Sequence, residues 1–421
     1  MSKFKVGFVG ASHLGICSAI AAAEKNFNIV LFDDDLKTIK NLNNFKIDFY
    51  EPNLKELLIK NKKKIFFTND ANFLKGCKIV YISHDTPTNN RNISNFKFIN
   101  NIISKVINHL DQSSLMVILC QVYPGFTEQI KWNKEKLFYQ VETLIFGNAI
   151  ERALKPEQII VGKSTSCKKK TIKLLERFIK KFSNNVKYMN YKSSELSKIA
   201  INLYLSSSIN YTNSMAELCE KIGVNWSEIE MILRKDRRIG PYAYLKPGLG
   251  ILSGNLQRDL VTSEKLFNKA RCKSDFIENI KKNSNKRKDW IIDIIKKEKI
   301  KKSEIIGIFG STYKENVSTL KNSPLTNVVK KFSKLKFNVY DPVNNLNLNH
   351  KNVKIIKKFD NLIRSSKILI ILTPWSFIKK KKNQIKLFYF KGRLIIDIYN
   401  LLDKKHLNKK TRRVVMGNQD K

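Results

Sequence analysis

The residues Lys5 to Val9 read as a short buried strand that runs directly into the turn Gly10-Ala-Ser-His-Leu-Gly15. Ile16 to Lys25 continues as an Ala-rich helix, and Asn28 to Phe32 is a second strand closed by Asp33. This order constrains the fold more than any other stretch, because it is the layout of a dinucleotide-binding βαβ unit. The pyrophosphate lies on the helix N-terminus, and an acid about 20 residues further on bonds the ribose hydroxyls. Gly10, Ser12, Gly15 and Asp33 are the candidate cofactor residues, and Asp33 favours NAD over NADP. Ser12 stands where a second glycine normally lets the backbone touch the pyrophosphate. Its hydroxyl could donate to a phosphate oxygen, while its Cβ takes up room.

The alternation continues with strands near Ile65 to Thr68, Ile79 to Ser83 and Leu115 to Leu119, with a helix from Asn95 to His109. A doubly wound parallel sheet is expected, with its ligand at the C-terminal ends of the strands. Two of those ends carry the loops His84-Asp-Thr-Pro-Thr88 and Cys120-Gln-Val-Tyr-Pro-Gly-Phe-Thr127, which contain Thr86 and Gln121. Glu142 follows, and Ile159 to Gly162 reads as the last strand of this half.

From Ser193 to Ile222 one long helical pattern runs without proline, with Leu196, Ile199, Leu203 and Leu205 among its apolar positions and Ser193 or Ser194 as the cap. Lys198 and Asn202 are i, i+4 neighbours on one face of it. They point into one cleft, or they are solvated residues on an amphipathic helix. The glycine-rich stretch Pro247 to Asp259 ends in an amide, a cation and a carboxylate at Asn255, Arg258 and Asp259. It reads either as a loop that holds a phosphorylated sugar or as a surface turn before a capped helix. Helices extend to about Lys299, and a second strand-and-helix series begins at Ile305 to Phe309, followed by Gly310-Ser-Thr-Tyr-Lys-Glu-Asn316. Strands near Asn338 to Tyr340, Ile368 to Leu372 and Leu394 to Ile398 complete it.

The expected class is therefore α/β: two Rossmann-like doubly wound domains, 1-190 and 301-421, joined by a central helical domain, 191-300, with one long helix. A chain of 421 residues with 42% hydrophobic content can bury more than one core. The formal net charge of +43 would suggest nucleic acid or an anionic membrane. Its lysines, however, are spread among many Asn and Ile residues, as A/T-rich codons would produce, and no nucleic-acid motif accompanies them. No nucleic-acid partner is expected, although anionic ligands such as nucleotides would be drawn to the protein. Six widely spaced cysteines without a Cys-x-x-Cys pair suggest neither a disulfide framework nor a zinc site. With no signal-peptide pattern and no membrane-length apolar run, a cytoplasmic protein is expected.

Taken together, the motifs resemble the nucleotide-sugar 6-dehydrogenases, the UDP-glucose and GDP-mannose dehydrogenase family, over nearly the whole chain. They are the glycine turn with Asp33, Tyr50-Glu-Pro52, Thr86-Pro-Thr88, Ser194-Glu-Leu-Ser-Lys198 with Asn202, Asp236-Arg-Arg-Ile-Gly240, Pro247-Gly-Leu-Gly250 with Asp259, Tyr313-Lys314, Ser323-Pro324 and Tyr340-Asp-Pro342. The resemblance implies an NAD domain, a dimer built on the long helix, and a C-terminal domain for the nucleotide of a UDP- or GDP-sugar. It implies further that Lys198 stabilises the oxyanion, Asn202 holds the sugar or a water, Asp259 orients or activates that water, and Glu142 assists proton transfer. Lys314, Tyr244 and Gly250 would meet the substrate, and Arg238 would reach it across the dimer. The pathway it suggests is the synthesis of surface-polysaccharide precursors.

The family's loop reads Gly-Gly-Ser-Cys-Phe-Pro-Lys-Asp, and its cysteine carries the intermediate as a thiohemiacetal and then a thioester. The same register here reads Leu252-Ser-Gly-Asn-Leu-Gln-Arg-Asp259, so Asn255 holds the cysteine position. A carboxamide is no nucleophile at cellular pH, which excludes thioester catalysis there. Cys120 and Cys272 are the remaining thiols to consider as substitutes. Gln121 replaces a threonine, Arg258 a lysine, Lys321 an arginine, and Tyr399 an arginine expected to hold substrate. Three readings result: oxidation to an aldehyde or through its hydrate, oxidation or epimerisation at a ring hydroxyl, or a non-catalytic nucleotide-sugar-binding protein.

Overall fold

The computed structural model describes residues 4–317, 320, 322–343 and 350–418. The chain divides into two compact units, residues up to Ile201 and residues from Asn202 onward.

The first unit is built on an eight-stranded sheet of order β3-β2-β1-β4-β5-β6-β7-β8. The strands are β1 (Lys5–Val9), β2 (Asn28–Phe32), β3 (Ile65–Thr68), β4 (Ile79–Ile82), β5 (Leu115–Ile118), β6 (Leu137–Gln140), β7 (Ile159–Lys163) and β8 (Val186–Met189). The order 3-2-1-4-5 places the topological switch between β1 and β4, where a doubly wound sheet opens its ligand crevice. Helix His13–Glu24 follows the glycine turn, and Ala19, Ala21, Ala22 and Ala23 are buried to within 1% exposure. These small residues bring the helix close to the sheet and to helix Ala149–Leu154. The core lies on both faces of the sheet. One face is lined by Phe8, Tyr81, Phe138 and Phe178, and the other by Val80, Ile118, Tyr139 and Trp132.

Two features of this sheet correct the expectation. It is not wholly parallel, because β6 and β7 pair antiparallel, with Tyr139 opposite Gly162. Strand direction leaves no mark on composition when both faces are covered, so β7 reads like its parallel neighbours. The strands β6 and β8 are additions to the expected set. The first is only Leu-Phe-Tyr-Gln, and the second is an edge strand whose residues are half-buried or exposed, so neither shows a strong apolar run.

Helix Tyr191–Ile222 crosses the division between the units. It starts two residues before the expected serine caps. The side chain of Asn190 accepts the Ser193 N–H at 2.8 Å and so performs the capping, as asparagine does at least as well as serine. Ser194 is instead buried, donates to the Tyr191 carbonyl at 2.8 Å, and fills the space beside Gly162. Of the apolar positions expected on this helix, Ile199 is buried but Leu196 is 47% exposed.

In the second unit a six-stranded sheet, entirely parallel, has the order β11-β10-β9-β12-β13-β14. Its strands are β9 (Ile305–Phe309), β10 (Lys336–Tyr340), β11 (Val353–Ile355), β12 (Ile368–Ile371), β13 (Leu394–Asp397) and β14 (Arg412–Val415). The edge strands β11 and β14 were not expected, because they are short and interrupted by Lys354 and by Arg412 and Arg413. Helices Trp226–Lys235, Gly254–Lys269, Asp275–Lys288 and Trp290–Lys297 precede the sheet. Lys321 lies outside the described residues. Among the described residues, no helix is long and apolar enough to cross a membrane.

Candidate functional site

In the first unit the glycine turn is closed by contacts that leave no room for side chains. Gly10 has φ +107°, and a Cβ on it would stand 2.5 Å from that of His84. A Cβ on Gly15 would stand 1.8 Å from the Gly10 carbonyl oxygen. Only glycine at both positions lets the helix start this close to β1. Asp33, 8% exposed at the end of β2, accepts the Ala11 N–H at 2.6 Å and the Asp35 N–H at 2.9 Å. Its carboxylate is thereby held beside the turn.

Ser12 has a role that its place in the turn did not show. Its Oγ accepts the Asp85 N–H at 2.7 Å and lies 3.4 Å from the Ser83 carbonyl oxygen, so the hydroxyl ties the turn to the loop after β4. The carboxylate of Asp85 accepts the Leu14 N–H at 3.1 Å, on the first turn of the helix. In the same loop, Thr86 donates to the Gln121 carbonyl at 2.7 Å and joins the ends of β4 and β5. A recess is lined by Gly10, Phe32, Asp33, His84, Ile102 and Lys105. The shaped turn, the held acid and this recess at the switch point fit a dinucleotide.

The other feature of this unit is a largely buried ion pair. The Nζ of Lys198, a residue 8% exposed, stands 3.2 Å from Oε2 of Glu142. The second carboxylate oxygen of Glu142 accepts the Leu144 N–H, which fixes its orientation. Three residues before Lys198, Glu195 is fully buried and accepts the N–H groups of Gly125 and Thr127, holding the loop that follows β5. Burial raises its pKa, and the hydrogen bonds from Thr127 and Gly125 oppose that rise. Its position within Ser194-Glu-Leu-Ser-Lys198 was visible in the sequence, but this role was not.

In the second unit the stretch Pro247 to Asp259 is anchored, not a surface turn: Leu249, Ile251 and Leu252 are buried. Gly250 has φ +72° and packs on the Ser284 backbone, and the Ile251 N–H donates to Ser284 Oγ at 2.8 Å. Helix Gly254–Lys269 then begins, with Ser253 at its N-cap and Asn255 on its first turn. Asp259 lies one helical turn later and is 1% exposed. One of its oxygens accepts from the Asn202 amide, the other from Arg258 Nε at 3.1 Å. That second bond was not foreseen, since adjacent residues of a helix do not usually face each other.

The proposed substrate residues are spread more widely through this unit. Arg238 has an exposed side chain paired with Asp236 at 2.6 Å, which raises the pKa of the guanidinium and lowers that of the carboxylate. Tyr244 is 42% exposed, and its carbonyl accepts from Thr212 at 2.8 Å. Lys314 follows β9, with its carbonyl accepting from Thr312 at 2.7 Å. Burial pushes the Tyr399 phenol up, so it remains neutral where the family pattern has a cation, and it packs beside Gly248. Neither candidate thiol is a convincing nucleophile. Burial pushes the Cys120 thiol up to about 12, and Cys272 is exposed past the end of helix Gly254–Lys269.

Comparison with known proteins matches most of the chain. Residues 4–183 match the NAD-binding domain of the UDP-glucose/GDP-mannose dehydrogenase family, 192–286 its central domain, and 307–404 its UDP-binding domain. The UDP-glucose 6-dehydrogenase of Rickettsia conorii (strain ATCC VR-613 / Malish 7) is 28% identical over 96% of this chain and 97% of its own. Among solved structures, a UDP-glucose dehydrogenase from Pyrobaculum islandicum superposes with a TM-score of 0.85 at 18% identity, covering 99% of this chain and 98% of its own. The UDP-D-ManNAc dehydrogenase from Pyrococcus horikoshii gives 0.80 at 19% identity, covering 98% and 99%. At those identities the structural likeness is one of fold.

Proposed function

The chain belongs to the UDP-glucose/GDP-mannose dehydrogenase family of NAD-dependent oxidoreductases acting on CH–OH groups, and we propose that it oxidises a UDP- or GDP-sugar without a thioester intermediate. The observation that carries this reading is Asn255 on the first turn of helix Gly254–Lys269, one turn ahead of the buried Asp259. An amide there can hydrogen-bond to a carbonyl or its hydrate, but it cannot capture an aldehyde covalently.

Bound NAD supplies the hydride acceptor; the side chains handle the proton and the developing charge. Lys198 places a cation where the hydroxyl oxygen becomes negative, and Glu142 at 3.2 Å from it assists removal of the proton. Asn202 and Asp259 hold the sugar or a water. Because Asp259 is bonded to both Asn202 and Arg258, it serves to orient its partners. The product of one turnover is then the aldehyde, or its hydrate.

The same reading gives the chain three working parts, 1-190 for NAD, 191-300 for the catalytic stretch and dimerisation, and 301-421 for the nucleotide. A homodimer is supported by the exposed Tyr204, Tyr211, Leu218 and Ile222 on the long helix and by Met231 and Ile232 on the next one. Arg238 would then serve the partner's substrate.

The test is to incubate the protein with NAD and a panel of UDP- and GDP-sugars, measuring NADH per sugar consumed and the product mass. One NADH and an aldehyde are expected. Two NADH with a uronic acid would overturn the claim that Asn255 blocks complete oxidation. A ketone at a ring carbon would move the chemistry to a ring hydroxyl, and binding without any NADH would remove catalysis altogether.

A further inference from the structure

We propose that the face of the second unit formed by helix Lys381–Ile385 and the tighter turn Lys386–Tyr389 docks on an anionic lipid surface. Residues 376–393 hold seven basic residues and no acid, in a chain whose totals are 79 basic and 36 acidic. Codon bias accounts for many lysines, but not for a run of them beside exposed rings. The helix continues directly into the turn, so positions three and four apart share one side of it. Lys381, Lys382, Ile385, Phe388 and Tyr389 are exposed at that spacing, the last three at 42%, 52% and 59%. Asn383, Gln384, Leu387 and Phe390 are buried on the other side. The buried amides fix the segment: Asn383 donates to the Phe377 carbonyl at 2.7 Å, and Gln384 donates to the Leu401 carbonyl and accepts the Asp403 N–H, both at 3.0 Å. The exposed rings are held as well. Phe388 meets the His406 ring edge-on with centroids 5.9 Å apart, and the Arg364 guanidinium lies 5.8 Å from the centre of the Tyr389 ring. The apolar strip is therefore preformed.

Charge selects the occupant. Asp360 is paired with Lys386 and Asp403 with Lys405, each at 2.7 Å, and the buried Asp397 is paired with Arg413. Arg393 is taken by Glu298. Among the described residues, Lys379, Lys380, Lys381, Lys382, Lys391 and Lys404 form no ion pair, so uncompensated positive charge surrounds Ile385, Phe388 and Tyr389. A second copy of this chain seated on the strip would set like charge against like charge. An anionic bilayer matches both parts of the face: its headgroups attract the lysines, and its headgroup boundary takes rings and an aliphatic side chain. Nucleic-acid phosphates fit less well, because they favour the fork of arginine over the point charge of lysine. Among the described residues no helix is long and apolar enough to cross a membrane, and peripheral docking requires none.

The inference does not depend on the chemistry proposed for the sugar and is tested by vesicle flotation of the full chain. It should float with phosphatidylcholine vesicles in which about a third of the lipid is phosphatidylglycerol, and stay behind with phosphatidylcholine alone. Each lysine near such a surface strengthens binding roughly fivefold, so Lys381→Gln combined with Lys382→Gln should weaken it about 30-fold. Lys169→Gln combined with Lys170→Gln removes the same charge from an exposed place in the first unit, and should cost about threefold or less. Phe388→Ser combined with Tyr389→Ser leaves the charge unchanged and should weaken binding about tenfold. Lipid brominated in its acyl chains should quench the fluorescence of Phe388→Trp beyond that of the native chain. Near-native urea midpoints identify the variants that fold, and should the aromatic pair fail to do so, the lysine pair and Phe388→Trp decide. No flotation of the native chain, equal losses from the two lysine pairs, or no added quenching overturns the proposal. A lower mass in solution after the two serine substitutions would overturn it in favour of a contact between copies. Loss of RNA binding with flotation intact, in the Lys381 and Lys382 variant, would overturn it in favour of a nucleic-acid surface.

Discussion

The two glycine turns of this molecule, after β1 and after β9, use the same frame and end differently. In both, a glycine with positive φ, +107° at Gly10 and +88° at Gly310, stands against the next strand's loop, at His84 and Thr373 respectively. Both donate their N–H to the end of the neighbouring strand at 2.8 Å, to Phe32 and Tyr340. In both, an acid after that strand accepts the next N–H, from Ala11 to Asp33 at 2.6 Å and from Ser311 to Asp341 at 2.8 Å. The difference lies in how each turn enters its helix. The first does so at once, at His13, and Ser12 gives that helix no side-chain cap. The second delays its helix to Pro324 and closes it with Ser323, whose hydroxyl accepts the Leu325 N–H at 3.2 Å and donates to the Ser311 carbonyl. In the first, a carboxylate from the loop after β4, that of Asp85, accepts the Leu14 N–H. In the second, the cap comes from Ser323, the residue that directly precedes the helix.

The strongest way to break this contrast is at Gly15. Gly15→Ala puts a methyl group 1.8 Å from the Gly10 carbonyl oxygen and must reopen the turn. NAD affinity should fall by about 100-fold, as an overpacked contact of this kind costs up to about 3 kcal/mol. NADH fluorescence titration measures it, and unchanged binding would show that the turn does not hold the cofactor. A smaller effect separates the two acids. Asp33→Ala should weaken NAD about 10- to 100-fold, the usual cost of a lost charged hydrogen bond, while UDP binding stays constant. Asp341→Ala should do the reverse, with calorimetry of both ligands as the check. The smallest effect is at the second helix start. Ser323→Ala should lower stability by about 1 kcal/mol, seen in the urea midpoint, and leave NAD affinity untouched. A large loss of NAD affinity there would contradict the independence of the two turns.

The sequence was most legible where local rules and tertiary needs coincide. The strand, glycine turn and acid at residues 5–33 result from period and turn chemistry, and β9 with Gly310 repeats the pattern. Strands at sheet edges were least legible: β8 and β11 bury too little apolar surface to leave a periodic mark, and β14 has only two buried valines after two arginines. Among the candidate site residues, spacing on one helix joined Lys198 to Asn202, and the glycine stretch pointed to Asp259. The pairing of Lys198 with Glu142, 56 positions apart, has no local signature and comes from the antiparallel β6–β7 excursion and the long helix together.

By itself, the sequence determined the fold class, the family and the absence of a thiol at position 255. Each of these depends on residue identity in a fixed register, which the chain carries whether folded or not. Tertiary structure decided how those residues are employed. Ser12 secures a loop, Arg258 pairs with its own neighbour Asp259, and Glu51 gathers three partners from two distant segments. A buried carboxylate must find donors wherever packing places them, and those donors are chosen by the folded chain, not by their distance along it.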